Sequence, residues 1–335
     1  MTSTLQPSAE LKGHQKPVLC VKYAQNTFLG EHILASGSED NTCRIWDLRT
    51  QQVVKGIKGL QDPVSSVAFA PTSDSSLFYL SSGKKVLVYD LRNTGMIVSE
   101  TCREYEFSGD EINSIDINQK QSFLATGDDN GEVKIVDLVN HKIYKKLNKK
   151  HRNVIWSGGL DCKVHQWDFS KGKLLDIYDT APSEPSSTQM FNPPFVYTIE
   201  NSMDGNWVAA GLGDASIQID PVVSRLEDGH SNMVNCLSFL PGGDESQEPL
   251  LLSGSVNGSL ALWRLPLHSA TNQVKAPTMT APSDQPISKY QLDASVVRLN
   301  QLETYTMDGK TTTLAAAAVG GVDGNGGVLN LYSLP

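Results

Sequence analysis

Short apolar runs broken by polar turns recur along the whole chain, and no stretch sustains a helical period. Val18, Cys20, Val21 and Tyr23 form one such run, and Val234, Cys236, Leu237 and Phe239 form its near copy. Ile33-Leu34-Ala35 and Leu250-Leu251-Leu252 are continuously apolar, as in strands covered on both faces. Turn signals such as Asp129-Asn130-Gly131, Asp204-Gly205 and Asn257-Gly258 punctuate the runs. The pattern predicts an all-β fold.

The polar residues between the runs also repeat. Gly13-His14, Ser36-Gly37, Asp40 and Trp46-Asp47 have a second copy in Gly229-His230, Ser253-Gly254, Asn257 and Trp263-Arg264. A third copy comprises His151, Ser157-Gly158, Asp161 and Trp167-Asp168. His and Ser stand 22 and 23 residues apart in the first two copies but only 6 apart in the third, whereas the Asp or Asn precedes the Trp by 6 in all three. Repetition on this scale marks a chain of small units that bury their apolar faces only by stacking.

These residues resemble the WD-repeat family, in which each repeat forms one four-stranded blade of a β-propeller. Taking the Trp position as a ruler gives Trp46, Tyr89, Val136, Trp167, Asp220, Trp263 and Tyr332, with steps of 43, 47, 31, 53, 43 and 69 residues. Seven marks predict a seven-bladed propeller of four-stranded antiparallel blades, residues 1–335 forming one domain. The short step falls in the third copy, where only Arg152–Trp156 separates His151 from Ser157. Blade four is therefore expected to lack its inner strand, which roughly 13–16 more residues in that region would supply. The seventh repeat offers strands near 296–302, 314–319 and 328–331, and the segment from about Leu5 to Lys12 is expected to close that blade as its fourth strand. The resemblance also implies that His14, Ser36, Asp40 and Trp46 form a hydrogen-bonded chain, as do His230, Ser253, Asn257 and Trp263. His151, Ser157, Asp161 and Trp167 would form a third. A His, a Ser and a carboxylate invite comparison with a catalytic triad. Recurrence in several blades favours a structural role, and no Gly-x-Ser-x-Gly elbow is present.

Composition narrows the remaining classes. A formal charge of −9 argues against broad nucleic-acid or membrane-surface binding. The basic run His141–Arg152 reads as a solvated outer strand, with a docking patch or nuclear-import signal as the alternative. Five cysteines without CxxC spacing read as reduced thiols of cytosol or nucleus, with no metal site. There is no secretory leader pattern and no run of membrane-spanning length. The sequon at Asn257 lies on a structural turn. Loops at about 180–194 and 265–287, rich in Pro, Ser and Thr, are expected to be flexible insertions. The glycine-rich stretch 320–327 lacks the following helix that a nucleotide fingerprint needs. No cofactor is expected.

One further resemblance concerns partners. Ile33-Leu34-Ala35-Ser36, Asp40 and Ile45-Trp46-Asp47-Leu48-Arg49 are similar to the box of WD proteins that serve as substrate receptors of cullin-type ubiquitin ligases. That resemblance implies that Arg49, beside Asp47, contacts the damaged-DNA-binding adaptor protein; Tyr89-Asp90-Leu91-Arg92 is a partial second copy. A guanidinium at the propeller rim has several donors for a partner carboxylate or carbonyl. Three readings follow: a monomeric protein-interaction scaffold, a ligase substrate receptor, and a propeller enzyme. The last lacks an isolated acid pair, a metal-ligand cluster or a phosphate loop that needs a catalytic explanation.

Overall fold

The computed structural model describes residues 2–144, 154–168, 171–181, 192–202, 205–220, 224–240, 248–265, 285–306, 312–320 and 326–335. His151, the basic run from 145 to 152 and most of both Pro-rich loops lie outside the described residues. Among the described residues every regular element is a strand.

The chain opens with β1 (Thr2–Leu5) and β2 (Ala9–Glu10). Blade one is β3 (Val18–Thr27), β4 (Gly30–Ser38), β5 (Cys43–Asp47) and β6 (Gln52–Ile57). Blade two is β7 (Val64–Phe69), β8 (Leu77–Ser82) and β9 (Lys85–Asp90), then, after β10 (Ile97–Val98), the outer strand β11 (Arg103–Tyr105). Blade three is β12 (Ile112–Ile117), β13 (Phe123–Asp128), β14 (Val133–Asp137) and β15 (Lys142–Ile143). Blade four holds only β16 (Val154–Gly158), β17 (Lys163–Asp168) and β18 (Lys173–Asp179). Blade five is β19 (Val196–Asn201), β20 (Val208–Leu212), β21 (Ile217–Asp220) and β22 (Ser224–Leu226). Blade six is β23 (Val234–Phe239), β24 (Leu250–Ser255), β25 (Ser259–Arg264) and β26 (Ser288–Leu292). Blade seven is β27 (Val296–Thr306), β28 (Thr312–Gly320) and β29 (Gly326–Ser333). The result is a seven-bladed, all-β propeller of mostly four-stranded antiparallel sheets, and each of the seven ruler residues lies in its blade's third strand, β17 counting as third.

Two segments stitch neighbouring repeats together. β2 adds antiparallel to β29, Ala9 opposite Leu331, and completes blade seven. β1 instead runs parallel to β26, Leu5 opposite Leu292, as a fifth strand of blade six. Leu5 thus belongs to blade six, and the pairing with blade seven begins at Ser8, whose amide donates to the Leu331 carbonyl at 2.7 Å. β10 adds parallel to β6, so a segment of the second repeat becomes the fifth strand of blade one.

The core explains both the closure and its defect. Apolar side chains gather in six clusters, each between adjacent blades: seven and one, one and two, two and three, four and five, five and six, six and seven. Among the described residues none joins blade three to blade four. The absent element there is the inner strand. Ser157 holds in β16 the place of Ser36 in β4, a second strand, and β16 pairs only with β17. The cluster beside blade four is also the smallest, with Val164 its one fully buried contribution from that blade.

The glycine near the end of several second strands has a packing reason. A Cβ on Gly37 would lie 2.4 Å from Val64, the first residue of the next inner strand; on Gly158 it would lie 2.2 Å from Val196. On Gly211 it would meet the Val234 carbonyl at 2.6 Å. Glycine lets the next blade close onto the backbone. Gly127, which faces the seam, has nothing within 4 Å of the same position.

Candidate functional site

In blade one, Ser36 accepts from Trp46 Nε1 at 2.9 Å and lies 2.8 Å from His14 Nε2. His14 Nδ1 lies 3.1 Å from Asp40 Oδ2, and Asp40 also accepts from the Gln15 amide and from Thr42. Burial alone raises the Asp40 carboxyl, but bonds from His14, Thr42 and the Gln15 amide hold it below its ordinary value. All four residues expected in this chain are brought together. The turn after Asp40 puts Asn41 in the left-handed region (φ 58°), which Asn tolerates.

Blade six repeats the inner half. Ser253 accepts from Trp263 Nε1 at 2.8 Å and lies 2.7 Å from His230 Nε2. The outer half differs. His230 Nδ1 meets Ser259 Oγ at 2.9 Å, while Asn257 turns to Ser231 and to the Ser259 amide. With no carboxylate at its ring, burial, aided by Lys289, pulls His230 down to about 4. In blade four only one link is described: Trp167 Nε1 donates to Ser157 at 2.9 Å. Asp161 there lies 3.7 Å from His165. Trp46 and Trp263 are fully buried, whereas Trp167 is partly exposed beside the seam.

Spacing, hydrogen-bond chain and blade architecture coincide with one family. The model described as "WD domain, G-beta repeat" matches residues 5–47, 101–137 and 222–264. Those three stretches are WD40 repeats. The chain is similar to the WD repeat-containing protein 53 homolog of Dictyostelium discoideum, 29% identical over 291 residues, which cover 76% of the chain and 77% of the relative. It is similar to THO complex subunit 3 of Arabidopsis thaliana at 24% identity, over 89% of the chain and 96% of the relative. The kinesin-like protein KIF21B of Mus musculus is 23% identical over 82% of the chain, and the chain spans only 17% of that relative's length.

The two arginines at the propeller rim have the same geometry. Arg49 Nε and Nη2 donate to the two oxygens of Asp47 at 3.1 and 2.9 Å, and the side chain is 47% exposed. Arg92 is folded onto Asp90 in the same way, with Nε 2.9 Å from Oδ2. Each arginine thus presents a partly satisfied guanidinium beyond its third strand, and hydrogen bonds from Arg49 lower the Asp47 carboxyl.

Four features escaped the sequence reading. Thr42 and Ser259 each stand two residues past the Asp or Asn and bond the same His ring, a repeated hydroxyl that alignment of the copies could have exposed. In blade seven Tyr332 fills the Trp position and donates to Asp293 at 2.6 Å, with Asn330 at 3.2 Å from its hydroxyl. Asp220, at the Trp position of blade five, is buried with neither carboxylate oxygen hydrogen-bonded, and desolvation pushes it up to about 6. The inner strands carry a further group of charges. Lys22 and Glu303 pair at 3.3 Å, and Asp116 and Glu200 occupy the same level of their own strands. Burial pushes Glu200 up to about 7, against the pull of Lys22. A cavity of about 510 Å³, with Lys22, Tyr23, Phe69 and Asp116 in its wall, opens at this level.

Proposed function

We propose that the protein is a monomeric, non-enzymatic scaffold that binds other proteins, without a cofactor and without direct contact to nucleic acid or membrane. Members of the WD40 propeller family generally mediate protein–protein interaction. The observation that carries the reading is the fate of the chemistry-bearing residues. Ser36 and Ser253 are wholly buried and locked between a His and a Trp, so neither hydroxyl can meet a substrate. Their geometry serves blade rigidity, and a rigid ring leaves its loops and rims free to recognise partners. THO complex subunit 3 is by its name part of a complex, which agrees with such a role. Free thiols, including buried Cys20, Cys43 and Cys236, fit the cytosol or nucleus.

A second reading, substrate receptor of a cullin-type ligase, is favoured by the exposed Arg49–Asp47 fork, with Arg92 as its echo. The fork is preorganised and a partner carbonyl or carboxylate can take the remaining donors. Affinity capture from cells with intact protein and an Arg49→Ala variant tests both readings. The receptor reading expects the adaptor with the intact protein and a severalfold loss with the variant, at unchanged melting temperature. Equal recovery of the adaptor, or none from the intact protein, eliminates the receptor and leaves the scaffold. Stoichiometric capture of no protein at all removes the scaffold reading too.

A further inference from the structure

Among the described residues the seam between blades three and four is a slot that lacks an inner strand and is bordered by carboxylates. We propose that it binds an extended segment of a partner protein as the inner strand of blade four, with an apolar residue at its first and fourth positions and a Lys or Arg at its fifth. The inference names a partner class for the scaffold and rests on that reading.

Backbone comes first. Among the described residues the inner edge of β16 carries no strand, whereas the second strand of every other blade has a neighbour on that side. Alternate residues of the five in β16 turn their N–H and C=O groups away from β17 and can pair with an added strand, as in recognition by β-strand addition.

Side-chain positions follow from the six inner strands present. Val18, Val64, Ile112, Val196, Val234 and Val296 begin them, each at or beside a β-bulge. The first residue of β7, β19 and β23 covers the glycine of the preceding blade, and Gly127 is the uncovered seat. An apolar first residue fits there. The fourth residue is Val21, Val67, Ile115, Ile199 or Leu237 in the five regular strands. Among the described residues, nine of the fourteen large apolar side chains left exposed fall between Val133 and Tyr197, on the blades that border the slot and on blade four itself.

Charge selects the fifth residue. At this level stand Lys22, Ala68, Asp116, Glu200, Ser238 and, after the extra bulge in β27, Glu303. Lys22 is paired with Glu303. Asp116 and Glu200 stand on the two sides of the slot, and with Glu303 they share Lys22 as the one cation among the described residues at this level, which leaves an excess of two carboxylates. A lysine or arginine entering between them meets both carboxylates in a confined channel, where complementary charge counts most. A glutamate there meets like charge.

The test uses a fluorescent peptide copying residues 18–24 with serine in place of Cys20, so that its lysine falls at the fifth position. A second peptide has glutamate in place of that lysine. Fluorescence anisotropy with the intact protein should give saturable binding of the lysine peptide, and at least about tenfold weaker binding of the glutamate peptide. Gly127→Val fills the seat with a side chain that meets nothing, so it should fold with an unchanged melting temperature and lose the lysine peptide by about tenfold or more. Asp116→Asn with Glu200→Gln should bring the two peptides to similar affinity. No saturable binding, equal affinities for the intact protein, or full binding to Gly127→Val overturns the proposal. So does a peptide-independent dimer that occupies the slot, read by sedimentation across a concentration series, because the occupant is then a second copy. None of these results bears on partner capture through the rim, so the scaffold reading stands or falls separately.

Discussion

Removing the Trp46 side chain should damage the ring far more than removing that of Trp167, although the two hold equivalent places in the repeat. Trp46 is 2% exposed, packs in the cluster that joins blades seven and one, and donates to Ser36 at 2.9 Å. A buried indole removes roughly 200 Å² from water. At about 25 cal/mol per Å² that contributes roughly 5 kcal/mol, an upper bound because denatured chains already bury part of it. Ser36 keeps His14 as a partner, so the orphaned hydroxyl adds little. Trp46→Ala should therefore cost roughly 3–5 kcal/mol. Trp167 makes the same hydrogen bond to Ser157 but is partly exposed and absent from every core cluster, so Trp167→Ala should cost about half as much or less. Urea unfolding followed by far-ultraviolet circular dichroism measures both, with unchanged slope as the check that the same transition is compared. Equal losses, or a Trp46→Ala loss below about 1 kcal/mol, would refute the assignment of rigidity to the intact blades.

Deleting residues 1–12 removes strands from two blades, β1 from blade six and β2 from blade seven, and should lower the melting temperature of the whole ring; an unchanged melt would mean that both pairings are dispensable. His230 binds its proton less readily in the fold, at about 4, than its ordinary 6.5. The unfolded chain therefore takes up more protons in that window, and stability should fall as pH drops from about 6.5 toward 4, by roughly 3 kcal/mol in full. Urea midpoints across that range should slope less in His230→Gln, and an identical slope in both proteins would exclude His230 as the cause.

The sequence made the all-β architecture, the number of blades and the defect in blade four legible, because each rests on periodic features. The 6-residue gap from Asp or Asn to Trp survives even in the damaged repeat, and the lost His-to-Ser spacing stands out against it. The seam was legible as a missing strand, but its consequences were not. That Gly127 faces open space depends on which residue of the next blade would cover it, which is a tertiary relation. The fifth strands on blades one and six were equally hidden, since β1 and β10 are short, lie outside the repeat and pair parallel with strands remote from the motif. Asn257 was expected at His230 because it aligns with Asp40, yet an amide and a carboxylate make different demands, and the Ser259 hydroxyl takes the contact. The Arg49 position was readable, whereas its bidentate hold on Asp47 was not, because side-chain orientation beyond a strand end leaves no trace in spacing.

Hydrogen exchange, resolved to short peptides and read by mass spectrometry, tests the open ring most directly. Amides of β16 and of the β12–β13 face beside it should exchange by local opening, well before those of β23 and β24, which are sealed between two cores. Protection of Val154–Gly158 equal to that of Val234–Phe239 in the free monomer would contradict a seam between blades three and four.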